Sequence, residues 1–208
     1  MNELRSILGN CLVCKRKDIK RNSSCNYVEV TKPGDRLGID ILELLHGKKI
    51  LTAIDYFSRK LFAMEIGSKE GIKVVNFLDR LYKEIPFKSI ISDNGKEFCN
   101  DKVRMWMENK NVKHEFSIPY YHQSNGRIER ANRTLRNACK KTPGLLKVKL
   151  KRIVENYNNV LHRGIGMSPN EALKEENHER VKIHENKYKK EFKKNKGTIE
   201  EFFEMTRC

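Results

Sequence analysis

The chain has 208 residues, 38% of them hydrophobic and 34% charged, with a formal net charge of +16 and an isoelectric point near 9.6. That length can bury a real core in one or two domains, and so large an excess of one sign favours a polyanionic partner, nucleic acid before membrane. No apolar run reaches the roughly 18 residues of a membrane span, and the start MNELRSILGN lacks a basic segment followed by a long apolar one, so the expectation is an intracellular chain with no membrane partner.

Residues 1–29 carry Cys11-Leu12-Val13-Cys14 followed by Lys15-Arg16-Lys17. Two thiolates at this spacing make half of a tetrahedral zinc site. No histidine precedes Cys11, and His46 falls inside the expected core sheet, so the half-site Cys11–Cys14 is not expected to hold Zn²⁺ and the segment reads as a basic arm. The six cysteines are too scattered for a disulfide framework.

Pro33-Gly34 opens the core. Residues 36–45, 49–57 and 60–66 read as three strands joined by short turns, an antiparallel meander. Residues 69–85 place apolar side chains at 72, 74, 75, 78, 81, 82 and 85, the helical period, and Pro86 stops the run. A fourth strand over 87–92, a helix over 97–109 containing Trp106, and a fifth strand over 112–116 follow. A polar loop, 117–126, leads into a helix over 127–141. Pro143-Gly144 breaks the chain before a basic helix over about 145–162, and Ser168-Pro169-Asn170-Glu171 has the form of a capped helix start. The order βββαβαβα predicts an α/β fold with a mixed five-stranded sheet flanked by helices. From Asn177 the composition shifts: residues 180–196 hold eight Lys or Arg and few apolar residues, which reads as a basic, partly disordered tail over 177–208.

Three carboxylates stand out. Asp40 lies within the first strand, and Asp93 ends the apolar run Ile90-Ile91-Ser92, at once followed by the turn signal Asn94-Gly95. Glu129 lies on the helix opened by Ser124-Asn125-Gly126. There are 52 residues between Asp40 and Asp93, and 35 between Asp93 and Glu129. Asp40 alternates with Ile39 and Ile41, so apolar residues flank it on both faces, and a charge so placed is costly unless paired or metal-bound. Carboxylates grouped without a cation repel by roughly 4 kcal/mol per pair at about 4 Å and an effective dielectric of about 20. Two divalent ions would relieve that repulsion and supply the chemistry of phosphodiester transfer, and hard ions such as Mg²⁺ take oxygen ligands.

On helix 127–141, Glu129, Arg133, Arg136 and Lys140 are spaced by four, three and four, so they line one face. Ile128, Ala131, Leu135 and Ala138 line another and are expected to anchor it. Residues 127–163 hold eleven Lys or Arg against two Glu, the type of surface that gives phosphate affinity without base choice. Candidate DNA contacts are therefore Arg127, Arg130, Arg133, Arg136 and Lys140.

Asp40, Asp93 and Glu129, with the flanks DNGKEF and HQSNGRIERAN and the later segment NYNNVLHRGIGMSPNEAL, resemble the D,D-35-E catalytic core of retroviral and gypsy-like retrotransposon integrases. The resemblance covers roughly residues 30–175. It implies an RNase H-like fold with a basic helical C-terminal extension, and a division into an N-terminal zinc-domain remnant (1–29), a catalytic core (30–176) and the tail. It implies metal-dependent DNA 3′-end processing and strand transfer, with Asp40 bridging two Mg²⁺ or Mn²⁺ ions and Asp93 and Glu129 holding one each. It further implies loop contacts to the element's DNA end by Tyr121, His122, Gln123 and Asn125, target DNA as a second partner, homo-oligomerisation, and work in the nucleus where the host is eukaryotic. The missing half of the zinc site and the lack of a strand pattern for a C-terminal barrel leave a second reading, a catalytically silent, truncated DNA-binding derivative. A ribonuclease H-type nuclease is disfavoured by the 35-residue spacing and by HQSNGRIER.

Overall fold

The computed structural model describes residues 30–117 and 126–188. The half-site Cys11–Cys14 and the loop residues Tyr121, His122, Gln123 and Asn125 lie outside the described residues.

Five strands form one sheet. The meander β1 (Leu37–Glu43), β2 (Lys49–Asp55) and β3 (Leu61–Ile66) pairs antiparallel, and β4 (Ser89–Ser92) and β5 (Lys113–Phe116) add in parallel on the other side of β1. The strand order is β3-β2-β1-β4-β5. Parallel neighbours need crossovers, and these are α1 (Gly71–Glu84) and α2 (Asp101–Asn109). The other helices among the described residues are α3 (Gly126–Lys141), α4 (Leu146–Asn159), the short α5 (Pro169–Ala172) and α6 (178–188).

Helices cover both faces, so the central strands are mostly apolar; in β2 every residue from Ile50 to Asp55 is buried, Thr52 and Asp55 among them. On one face Leu37, Ile39, Leu51 and Ala53 pack with Val74, Phe77, Leu78 and Leu81 of α1 and with Val103, Trp106 and Met107 of α2. On the other, Ile54, Tyr56 and Ile91 meet Ile128 and Ala131 of α3, together with Ile165 and Val181. Next to them Leu42 and Ile50 meet Leu135, Cys139, Leu146, Leu150 and Ile153. Asp40 sits in β1 between Gly38 and Leu42 on this second face, because strand side chains alternate.

The expected elements form, with ends trimmed by a few residues. The helix expected from residue 97 begins at Asp101: Phe98 and Cys99 turn back to donate to the Gly95 carbonyl, and the Asn100 side chain caps the helix by accepting from Val103 N–H. Ser168 and Glu171 form the capping box that their spacing predicts, with Pro169 opening the helix. One difference is larger. Residues 178–188 are helical and packed, not part of a loose tail, with Val181 and Glu185 buried and His178 edge-on to Phe57 at 5.1 Å. Helix formation buries Val181 in the second-face core in spite of the sparse apolar content around it.

Candidate active site

Asp40 is half-buried in the centre of the sheet, opposite Thr52, whose hydroxyl donates to the Asp40 carbonyl at 3.0 Å. Its carboxylate is held at both oxygens: Oδ1 accepts from Ile41 N–H at 2.8 Å and Oδ2 accepts from Asn132 Nδ2 of α3 at 2.8 Å. Burial first, and then the charges of Asp93 and Glu129, push the Asp40 carboxyl above its ordinary value, against the lowering effect of those two hydrogen bonds. The parallel register Gly38↔Ile91 leads β4 into Asp93 on the strand beside Asp40, and the Asn132 hydrogen bond ties the helix of Glu129 to Asp40.

Asp93 follows β4 and is exposed, with Oδ1 accepting from Gly95 N–H at 3.0 Å in a tight turn. A Cβ at Gly95 would lie 2.7 Å from Glu97 Oε2 and 3.0 Å from Asp93 Oδ1. The absence of a side chain at Gly95 leaves room for these two carboxylates over the turn. Lys69 pairs with Glu43 at 2.9 Å and reaches Glu97 at 3.8 Å, so a cation already balances this rim. Glu129 is exposed on the first turn of α3, which is anchored by fully buried Ile128. Among the described residues, no group of three His, Cys, Asp or Glu side chains is close enough to hold an ion as the side chains lie. The chemistry of the donor set nonetheless suits a hard divalent cation: every candidate ligand is a carboxylate oxygen, and their mutual repulsion is relieved by positive charge.

The expected DNA contacts divide. Arg133, Arg136 and Lys140 are exposed along one face of α3, and Arg130 is exposed with Nε donating to the Gly126 carbonyl. Arg127 differs from its expected role. Its side chain is 15% exposed and turned inward, donating to the Tyr56 carbonyl and to Glu185 Oε1, so it holds the helix rather than facing solvent. Of the expected anchors, Ala138 is only partly buried, and Asn132 and Cys139 are buried beside Ile128, Ala131 and Leu135. Asp55 is fully buried and accepts from Gly34 N–H and from the Ser58 N–H and hydroxyl.

Sequence reasoning missed Asn132. It lies three residues beyond Glu129, so its place one turn along the helix was readable, but its reach to Asp40 spans 92 residues of sequence and leaves no local pattern. Its own Oδ1 is buried with no hydrogen-bond partner among the described residues.

A family model described as the integrase core domain matches residues 30–122. The Pro-Pol polyprotein of Feline foamy virus is 32% identical over 149 residues, 67% of this chain and 13% of that protein. A transposon-derived protein of Caenorhabditis elegans is 37% identical over 128 residues, 58% of this chain and 44% of that one. The chain thus spans less than half the length of either curated relative. Among solved structures, the catalytic core domain of BIV integrase superposes with a TM-score of 0.61 at 21% identity, covering 71% of this chain and 98% of that one. The sheet order, the flanking helices and that superposition make the fold RNase H-like. With the family match and the two relatives, they bear out the resemblance to integrase cores, residues 30–122 being matched as an integrase core domain.

Proposed function

We propose that the chain is the catalytic core of an integrase-type polynucleotidyl transferase from a retrotransposon or retrovirus-like element, trimming DNA 3′ ends and joining them to target DNA. The observation that carries this reading is geometric: the parallel register Leu37↔Ile90 and Gly38↔Ile91 leads β4 into Asp93 alongside Asp40, and the 2.8 Å Asn132–Asp40 hydrogen bond holds the helix of Glu129 against the same strand. Asp40, Asp93 and Glu129 are the residues that would hold two Mg²⁺ or Mn²⁺ ions. When bound, such ions activate the attacking oxygen and neutralise charge at the phosphate. Asn132 and Ile41 fix the Asp40 carboxylate through one hydrogen bond to each oxygen, so it would face an ion in one orientation. The Gly95 turn presents Asp93 at the rim, and α3 presents Glu129 beside exposed Arg133, Arg136 and Lys140, which would draw in a phosphate backbone without reading its sequence. A homo-oligomer, working in the nucleus of a eukaryotic host, fits this reading.

The test is a joining assay with purified protein, end-mimicking oligonucleotides and Mg²⁺ or Mn²⁺. The expected result is metal-dependent joining that Asp93→Asn lowers by at least about 10³-fold while non-specific DNA affinity stays equal or rises slightly. Wild-type joining by Asp93→Asn would remove the assignment. DNA binding without joining by the wild type would favour a catalytically silent, integrase-derived DNA-binding protein.

A further inference from the structure

Glu185 of α6 lies against the first turn of α3 and the turn after β2. Its Oε1 accepts from Arg59 Nη2 at 2.7 Å and from Arg127 Nη2 at 3.1 Å, and the same two guanidinium groups both donate to the Tyr56 carbonyl. The three side chains are 12–15% exposed. Arg127 also lies over the Tyr56 ring, 4.9 Å from its centroid, with Arg36 near the same ring at 5.7 Å. Two arginines thus converge on one carboxylate oxygen and one carbonyl. Removing the Glu185 carboxylate would take a negative charge away from two like charges held side by side in a nearly closed space, which is costly.

Arg127 stands two residues before Glu129. The first turn of a helix lacks intrahelical acceptors for its N–H groups and frays most readily, so what holds Arg127 sets the direction of Glu129. Ile128 supplies the apolar anchor of that turn, and the Arg127 clamp fixes its rotation.

Building on the proposed function, we infer that Glu185 is a positioning residue for Glu129, and that α6 is thereby a working part of the catalytic unit. Arg59, at φ 64° in the left-handed region, also reaches this clamp through its guanidinium. The docking of α6 is close: a Cβ at Gly166 would fall 2.5 Å from the His184 ring.

The experiment compares the full chain with Glu185→Gln, which keeps shape and removes charge, Glu185→Asp, which keeps charge, and Ser168→Ala. The last disrupts the capping box of α5 and serves as a control for general destabilisation. Amide hydrogen exchange is read at residues 129–133 and, separately, over α1 and α2; joining kinetics are measured with oligonucleotides and Mn²⁺. In Glu185→Gln, exchange at 129–133 should rise by about tenfold or more with α1 and α2 unchanged. The joining kcat should fall by a similar factor at unchanged KM for DNA, Glu185→Asp should recover part of both, and Ser168→Ala should reproduce neither. Unchanged exchange at 129–133, a uniform rise across all helices, or a loss expressed in KM alone would overturn the inference. If the wild type fails to join DNA, the reaction assigned above fails, while the exchange comparison still decides the role of Glu185. If Glu185→Gln does not fold, Glu185→Asp gives the same test with a smaller expected rise.

Discussion

On one face of the sheet α1 and α2 bury an aliphatic and aromatic layer in which Tyr82, Phe87 and Trp106 meet ring to ring and the Trp106 indole donates to Asp79 at 2.7 Å. On the other, α3, α4 and α6 bury apolar residues too, but polar groups run through the layer: Asp40 with Asn132, Arg59 and Arg127 with Glu185, and Asn158 exchanging two hydrogen bonds with the Leu61 backbone at 2.8 and 2.9 Å. The first face is held by area and shape. The second spends part of its burial on fixing directions, and each of its polar contacts leads toward Asp40, Glu129 or the edge strand β3. Apolar packing and polar positioning thus divide between the two sides of one sheet.

That division predicts effects of different kinds and sizes. The largest falls on the apolar face, where Leu78→Ala, at a fully buried site, should cost about 2–5 kcal/mol in denaturant unfolding. DNA affinity per folded molecule should stay unchanged; a selective loss of binding would break the comparison.

Next comes Asn132→Ala. It removes a hydrogen bond to a carboxylate, a type worth roughly 1.5–3 kcal/mol. Elimination of its orphaned Oδ1 offsets part of that, so thermal unfolding should shift by only a few degrees while joining falls by about tenfold or more. An equal fall in Leu78→Ala at matched folded fraction would erase the distinction between the faces.

The third effect concerns solvent-exposed charge. Replacing Arg133, Arg136 and Lys140 together by Ala leaves Ile128, Ala131 and Leu135 in place, and Ala favours helix. If all three contact phosphate, the log–log salt slope of DNA binding should shrink by about 2.7. A slope identical to wild type would move the phosphate track to the exposed basic residues of α4.

The smallest effect tests the far end of the sheet. Burial holds His114 down at about 4, with its Nε2 2.9 Å from the Ser92 hydroxyl. A depressed histidine is neutral in the fold and charged in the unfolded chain below about 6.5. Its contribution is therefore fully present above pH 6.5 and is lost as pH falls toward 4. The ring is part-exposed, so solvent screening limits the contribution to the order of 1 kcal/mol. His114→Gln should flatten the stability slope between those pH values in a urea-unfolding series, and an unchanged slope would assign it to other groups.

Legibility from sequence followed the same divide. The meander, the α1 period over Val74, Leu78 and Leu81, and the Ser168–Glu171 cap were readable because each is written within a few neighbouring residues. Asp40, Asp93 and Glu129 were readable as a spacing with characteristic flanks. Asn132 and Glu185 were not, since their partners lie 92, 58 and 126 residues away and no local period records such a contact. The docking of α6 left one weak mark, His178, Val181 and Glu185 at spacings of three and four on one helical face. The surrounding lysines obscured it. Arg127 was misread for a related reason: charge composition cannot tell an arginine facing solvent from one turned onto a buried carboxylate.

The central claim is that Asp40, Asp93 and Glu129 form one cation-binding site, not three separate surface acids. It is tested most directly by thermal unfolding across a Mn²⁺ titration, for the wild type, for Asp40→Asn, Asp93→Asn and Glu129→Gln singly, and for one double variant. A ligand that binds only the folded chain stabilises it by about 2.7 kcal/mol at 100 times its dissociation constant, a shift of several degrees. The account predicts such a rise in the wild type, nearly all of it lost in each single variant and no more lost in the double. A rise that survives any one substitution at full size, or that disappears in independent portions, would contradict it.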